Sequence, residues 1–427
     1  MGVEKQSLKK QTAVMTMCNV LIRGLGFVLR LVTSRLLGAE ALGVMELASQ
    51  AHMLALTPAA AGLPTVVSRM TAREKQPEEV LASARRMAVR LGLWMGCGLL
   101  MLSPWIARWM GDERILPSLV CYAPCVLMIG LSGVYRGYSL GRGAAWPPAL
   151  CEMGEQGVRL FCVAGLSFLI PRLTVAWRAA VPAFATVLGE GAGLSIIALW
   201  LRAGKAKPSP AMQRELFLSS LPITLNRLSH TLLRTLCSVI VPLRLCAGGL
   251  SHTEAISRMG MLNGMVMPMI FLPGIFSGAL GTVSTPAIAG CSCHRRRRQL
   301  TGRMILAAAA VGCVCTGLLY ALAPLIGERV YALPEVGQMI RFMSPMAAVL
   351  PVQQVLGGVM AGLGLQKRSF YSSLLGSGVT LLLTWLWTAR TGILGAGYAH
   401  MIGHIVTLVS GIISFLLHEK TAAGAAV

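Results

Sequence analysis

Residues 21–30 read LIRGLGFVLR, an apolar stretch that places Arg23 and Arg30 seven positions apart, with Arg35 close behind. The stretch sits inside a long apolar run, and about 20 such residues suffice for a helix to cross a bilayer. An arginine near the bilayer centre costs several kcal/mol, from about 2.5 upward. Seven residues is nearly two helical turns, so Arg23 and Arg30 share a face, with Asn19 one turn earlier. A membrane segment holding such a face needs a bundle interior or a watery cavity to receive it.

The rest of the chain agrees with a membrane reading. Its 427 residues are 55% hydrophobic and only 13% charged, against about 25% charged in ordinary soluble domains. The mean hydropathy is +0.67. A net charge of +22 is high enough to raise nucleic-acid binding. The basic residues, however, stand in short clusters between apolar spans, as membrane orientation requires, so no nucleic-acid partner is expected. The charged start MGVEKQSLKK leads into an apolar run too long for a signal peptide, which predicts an uncleaved first span. The 12 cysteines are scattered through apolar runs, where they act as small hydrophobes. Cys291 and Cys293 beside His294 lack a second pair, and no metal or other cofactor is expected.

Twelve spans are predicted, at about 12–37, 42–68, 87–110, 116–138, 150–171, 178–201, 216–243, 257–287, 304–327, 337–361, 370–389 and 394–417. If the N-terminus is inside, the cytoplasmic segments hold Lys5, Lys9, Lys10, Arg85, Arg86, Arg136, Arg142, Lys205, Lys207, Arg214, HRRRR (294–298), Lys367, Arg368 and Lys420. The opposite loops carry mostly single arginines, such as Arg114, Arg178, Arg258 and Arg329. This asymmetry predicts both termini in the cytoplasm.

Weak internal matches suggest a duplicated unit of six spans. RGYSLGR (136–142) resembles AGLGLQK (361–367), and GLPTVVS (62–68) resembles ALGTVS (279–284). Arg23 and Arg30 correspond to Arg227 and Arg234, again seven apart. An even number of spans returns the chain to its starting side, so the halves, 1–207 and 208–427, are parallel repeats with a site expected between them near the midplane. AGKAKPSPAMQ (203–213) is the natural join.

In the seventh span, Arg227, His230 and Arg234 fall on one helical face. Arginines from both halves would make a cationic cavity suited to an anion, above all phosphate, whose oxygens a guanidinium fork binds in pairs. Snorkelling or local pairing is the competing account, strongest for Arg35. Acids are scarce: Asp112 is the single aspartate, and Glu46, Glu152, Glu155 and Glu190 are the candidate buried carboxylates. Glu155 and Arg159, four apart, suit a pair within one helix. Glu46 and Glu190 suit either proton or sodium coupling or local packing. His400 and His404, four apart, suit either a proton or metal site or hydrogen bonding between helices.

These residues also carry a family resemblance. RGLGFVLRLVTSRLLGAEALGV (23–44), AGLPTVVSR (61–69), RGYSLGRGAAWPPALCEMGEQGVRL (136–160), LPITLNRL (221–228), IVPLRLCAGGLSHTEA (240–255) and MPMIFLPGIF (267–276) occur in order. The pattern resembles the stage V sporulation protein B group, polysaccharide-export relatives of the lipid II flippases in the multidrug/oligosaccharidyl-lipid/polysaccharide (MOP) exporter superfamily. That resemblance implies an all-α polytopic membrane protein, with about 12 helices in two pseudo-symmetric six-helix bundles around a central cavity. It also implies a cell-membrane flippase, not an enzyme, that moves an undecaprenyl-pyrophosphate-linked oligosaccharide or peptidoglycan precursor outward by alternating access. Carried over by position, Arg23, Arg30 and Arg35 fit the family's first-span arginines, and Arg227 its seventh-span arginine. Cys237 stands where relatives commonly hold an acid, Glu152 where they hold Gln, and Arg234 is an addition of this chain. The membrane potential, a proton or sodium is the implied energy source, acting on a monomer. An ion-coupled multidrug exporter is the alternative, and it should present carboxylates to its cargo.

Overall fold

The computed structural model describes residues 8–74, 76–201, 206–274, 284–285, 288 and 294–424, without the side chains of 8–17, 19–20, 294–295 and 420–424. Asn19, Cys291, Cys293, the His294 side chain and most of the 279–284 motif therefore lie outside the described residues. Among the described residues there is no strand, and the helices run as follows. They are α1 (Leu8–Ala60), α2 (Leu63–Arg73), α3 (Pro77–Trp109), α4 (Leu116–Gly141), α5 (Trp146–Gly165), α6 (Val175–Leu201) and α7 (Pro210–Ala247). Then come α8 (His252–Gly260), α9 (Met267–Ile270), α10 (His294–Leu325), α11 (Pro334–Met343), α12 (Met346–Gly362), α13 (Gln366–Thr391) and α14 (Ile393–Gly424).

The expected all-α polytopic class forms. Among the described residues, seven helices are long and apolar enough to cross a membrane, and α11 with α12, bent by 52°, makes an eighth. The other four expected spans are helical but more polar, interrupted or incompletely described. The first two occupy α1 and α2, whose residues include Arg23, Arg30, Arg35, Glu40 and Glu46. The fifth is α5, only 20 residues long and carrying Glu152, Glu155 and Arg159. The eighth passes from α8 through a π-helical turn, Met261–Val266, into α9, and is described to residue 274. The first and second spans are two legs of α1, separated by a kink at Gly38, where φ is 76°. That left-handed conformation strains any residue with a Cβ, so glycine permits the reversal.

The chain divides into two compact units, 1–235 and 236–427, with the division inside α7. In the first unit α4 is the hub, packing against α1, α2, α3 and α6. A Cβ at Gly92 of α3 would stand 2.8 Å from the Leu127 Cα, and one at Gly96 would stand 2.8 Å from the Ala123 carbonyl oxygen. The two glycines, four apart, let α3 and α4 approach at backbone distance, the usual route to close packing where lipid supplies no hydrophobic drive. Val66, Val67, Val80, Ala84, Val134 and Leu216 fill the core beside them.

The second unit uses the same device. α13 and α14 meet through Gly376 against Thr407 and Gly403 against Thr380, while each threonine hydroxyl donates to a carbonyl on its own helix at 3.0 Å. The bend between α11 and α12 falls at Ser344 and Pro345. The Thr316 hydroxyl of α10 donates to the Ser344 carbonyl at 3.1 Å, and the Ser344 hydroxyl donates to the Arg341 carbonyl at 2.9 Å. Backbone groups at the break are thus satisfied by neighbouring hydroxyls, which makes it tolerable at membrane depth.

Candidate functional site

Two groups of charged side chains form in the first unit. The first grows from the two legs of α1. Arg30 on the first leg donates from Nη2 to Glu46 Oε1 on the second at 2.6 Å, with side chains 45% and 10% exposed. Arg234 of α7 is close enough to act electrostatically on the same carboxylate. α7 lies along the second leg of α1: the Thr57 and Thr231 hydroxyls are 3.2 Å apart, and the Thr235 hydroxyl contacts the Gln50 carbonyl at 3.4 Å. Arg227 is one turn before Thr231 and Arg234 three residues after it, so this seating carries both arginines along the flank of the contact. Arg23, Arg35, Arg227 and Arg234 are exposed, and Arg23, Arg35 and Arg227 form no ion pair among the described residues. His230, which falls between Arg227 and Arg234 along α7, is half-buried.

The second group is buried where α4, α5 and α6 meet. Arg136 pairs with Glu155, and its Nη1 lies 3.3 Å from Glu152. Its guanidinium also donates to the Ser132 hydroxyl at 2.8 Å. Arg159 pairs with Glu190, whose second oxygen lies 3.9 Å from Arg136. The Cys151 thiol completes the cluster, 3.3 Å from Glu155. The expected Glu155–Arg159 pair within α5 is therefore replaced by pairs between helices. The reason is local: Gly189 and Gly193 of α6 face α5, and Cβ atoms there would collide with the Arg159 and Glu155 side chains. With that space open, both side chains cross to partners that α4 and α6 supply. Nearby, the His52 ring stacks on Tyr122 at 4.3 Å, with both nitrogens buried and unbonded among the described residues.

Arg136, which its place beside the fourth span had assigned to an orienting loop, is thus a structural centre. A signal existed in the sequence: the candidate buried carboxylates Glu152, Glu155 and Glu190 outnumber Arg159 and called for a second cation, although Glu152 itself stays 39% exposed. His52 carried no comparable signal. Outside the spans, Arg114 pairs with Asp112 and Glu40 and fastens the turn after α3 to the α1 kink region. Hydrogen bonding to Asp112 pushes its pKa further up, against a smaller effect of burial. In the second unit, His404 Nδ1 is 2.9 Å from Gln353 Oε1 on α12, a hydrogen bond between helices. Among the described residues no group of three or more His, Cys, Asp or Glu is arranged to hold a metal ion.

The family profile described as "Polysaccharide biosynthesis protein" matches residues 8–292, which contain both charged groups. The chain belongs to that family. It is 26% identical to stage V sporulation protein B of Bacillus subtilis (strain 168), over 98% of this chain and 84% of that one. An inward-facing multidrug resistance MATE family transporter of the MOP superfamily superposes with a TM-score of 0.74 at 16% identity, covering 97% of this chain and 98% of that one. Its outward-facing counterpart gives 0.71 at 15% identity, over 97% and 96% of the two chains. A MOP superfamily transporter from Pyrococcus furiosus gives 0.69 at 15% identity, over 98% and 96%. These likenesses place this polysaccharide-biosynthesis family member in the MATE-like fold. They bear on its fold alone.

Proposed function

We propose that the protein is a flippase for a lipid-linked glycan, moving an undecaprenyl-pyrophosphate-linked oligosaccharide or peptidoglycan precursor from the cytoplasmic to the outer leaflet by alternating access. One observation carries this reading: Arg23 and Arg227, on helices of membrane length, expose guanidinium groups that no carboxylate neutralises among the described residues. Such groups are costly in lipid and useful to an anionic cargo. Arg30 and Arg234 act on Glu46, so in this reading the pyrophosphate meets the unpaired guanidinium groups of Arg23 and Arg227 and these two partly neutralised ones, with Asn19 and His230 as further candidate contacts. The buried network of Arg136, Glu152, Glu155, Arg159 and Glu190 holds the α4–α6 wall of this site.

In this reading the chain is a transporter rather than an enzyme and works as a monomer without a prosthetic group. It sits in the bacterial cytoplasmic membrane with both termini inside, and its six-span repeats are 1–207 and 208–427. An anionic headgroup leaving a negative cytoplasm moves down the potential, about 2.3 kcal/mol per charge for each 100 mV. Protons or sodium are the other available drive. The three glutamates of the buried network, and the fold shared with multidrug resistance MATE transporters, favour one second reading, an ion-coupled multidrug exporter.

Liposomes containing the purified protein and a labelled undecaprenyl-pyrophosphate glycan test the choice, with and without an imposed potential. Translocation that Arg23→Gln and Arg227→Gln abolish supports the flippase. Full translocation in both variants, or efflux of a cationic dye with none of the lipid, refutes it.

A further inference from the structure

The second unit holds a half-open cavity of about 330 Å³ that the arginine chemistry does not use. It lies among α12, α13 and α14, with Phe271 just beyond α9 at its edge. Its polar wall comes from Gln353 and Gln354 on α12, Ser372 and Ser373 on α13, and His404 on α14. Among the described residues, no carboxylate, ammonium or guanidinium group lines it. That lining discriminates sharply between ligand classes. A phosphate would find no fixed cation, and a divalent metal would find no anionic oxygen. A lipid tail would bury the Ser372 and Ser373 hydroxyls without partners, at a cost of several kcal/mol for each group in a membrane.

An uncharged ligand rich in hydroxyl groups meets none of these objections. Amides and hydroxyls both donate and accept, as sugar hydroxyls do. Phe271, Leu350 and Met360 offer apolar surface for the C–H face of a ring. The cavity volume is at the small end of the roughly 300–1,000 Å³ usual for small-molecule sites. The Gln353 amide is also pre-oriented, its oxygen held by His404 Nδ1 at 2.9 Å, which leaves the NH₂ as a donor. The Ser372 and Ser373 hydroxyls make no hydrogen bond among the described residues.

We propose that this cavity is a subsite for one uncharged sugar ring. It lies toward the chain reversal between α12 and α13 that holds Lys367 and Arg368. Only the source of the sugar, the glycan of the lipid-linked cargo, rests on the function proposed above.

Saturation-transfer NMR on the full chain in detergent micelles tests the subsite, with methyl glycosides of a hexose and an N-acetylhexosamine as probes. The expected result is transfer to the ring protons that falls about fivefold in Gln353→Met and in the milder Ser372→Ala/Ser373→Ala pair, as losing one or two hydrogen bonds predicts. Inorganic pyrophosphate should leave it unchanged. Equal transfer in the wild type and the serine variant, whose substitutions remove no packing volume beyond two hydroxyls, overturns the subsite. Equal transfer to glycerol overturns it as well. A glycosyl pyrophosphate on a short prenyl chain should outcompete the methyl glycosides; if it competes no better than they do, the sugar is a free one and the cargo assignment falls. Pyrophosphate that fails to bind a protein still saturating the glycosides sinks the flippase reading and leaves the subsite standing.

Discussion

Arg30 with Glu46 and Arg136 with Glu155 are made of the same two residue types in the same unit, yet they do different things. Arg30 is nearly half exposed and shares its carboxylate's field with Arg234. Arg136 and Arg159 are about one-fifth exposed, and Glu155 and Glu190 almost fully buried, each with a partner on another helix. The first group has more guanidinium than carboxylate and is accessible. The second has more carboxylate than guanidinium and is closed by glycine-mediated packing. Composition alone would not separate the two groups; exposure and charge balance do.

Five sets of substitutions put that contrast to the test. The largest effect is expected from Arg136→Met, which strands Glu155 without its guanidinium and should cost about 3–5 kcal/mol, read as a lowered thermal midpoint in detergent. Unchanged stability would remove the clamp from the account. Gly193→Val forces α6 away from the Glu155 side chain and should cost about 1–3 kcal/mol in the same assay. The Arg23→Gln/Arg227→Gln double variant should keep wild-type stability within about 0.5 kcal/mol, as exposed positions do. It should nonetheless lose lipid translocation by about tenfold or more, a difference of about 1.4 kcal/mol. Glu46→Gln is expected to act in the opposite sense and more weakly: removing that negative charge beside Arg30 and Arg234 should tighten pyrophosphate binding about two- to fivefold, a gain of under about 1 kcal/mol, measured by calorimetry. Arg35→Gln should be the mildest, within about 0.5 kcal/mol in stability and with translocation retained.

Much of the architecture was legible because it rests on residue type and spacing. The apolar runs located the spans, and Gly38 stood in the segment where the chain had to reverse. The seven-residue arginine interval named the helix faces before any helix was seen. Partner choice was less accessible. The four-residue interval between Glu155 and Arg159 satisfied the rule for a pair within a helix, yet both side chains reach across to other helices. A helical interval says which residues can meet along one helix, but is silent about what a neighbouring backbone brings closer. The helix-crossing bond of His404 was open for the same reason, since Gln353 is 51 residues away.

The quoted motifs carried the family resemblance; residue type and spacing were enough for a membrane protein, its long apolar helices and the two helix faces where arginines stand. These follow from transfer free energies and helical periodicity, which are local quantities. The packing of the helices settled which arginines are paired with carboxylates among the described residues. It also placed a cavity with uncharged polar groups at the meeting of α12, α13 and α14. Those outcomes depend on close approach at Gly189, Gly193, Gly376 and Gly403, where a missing side chain on one helix sets the reach of a charged or polar one on the next.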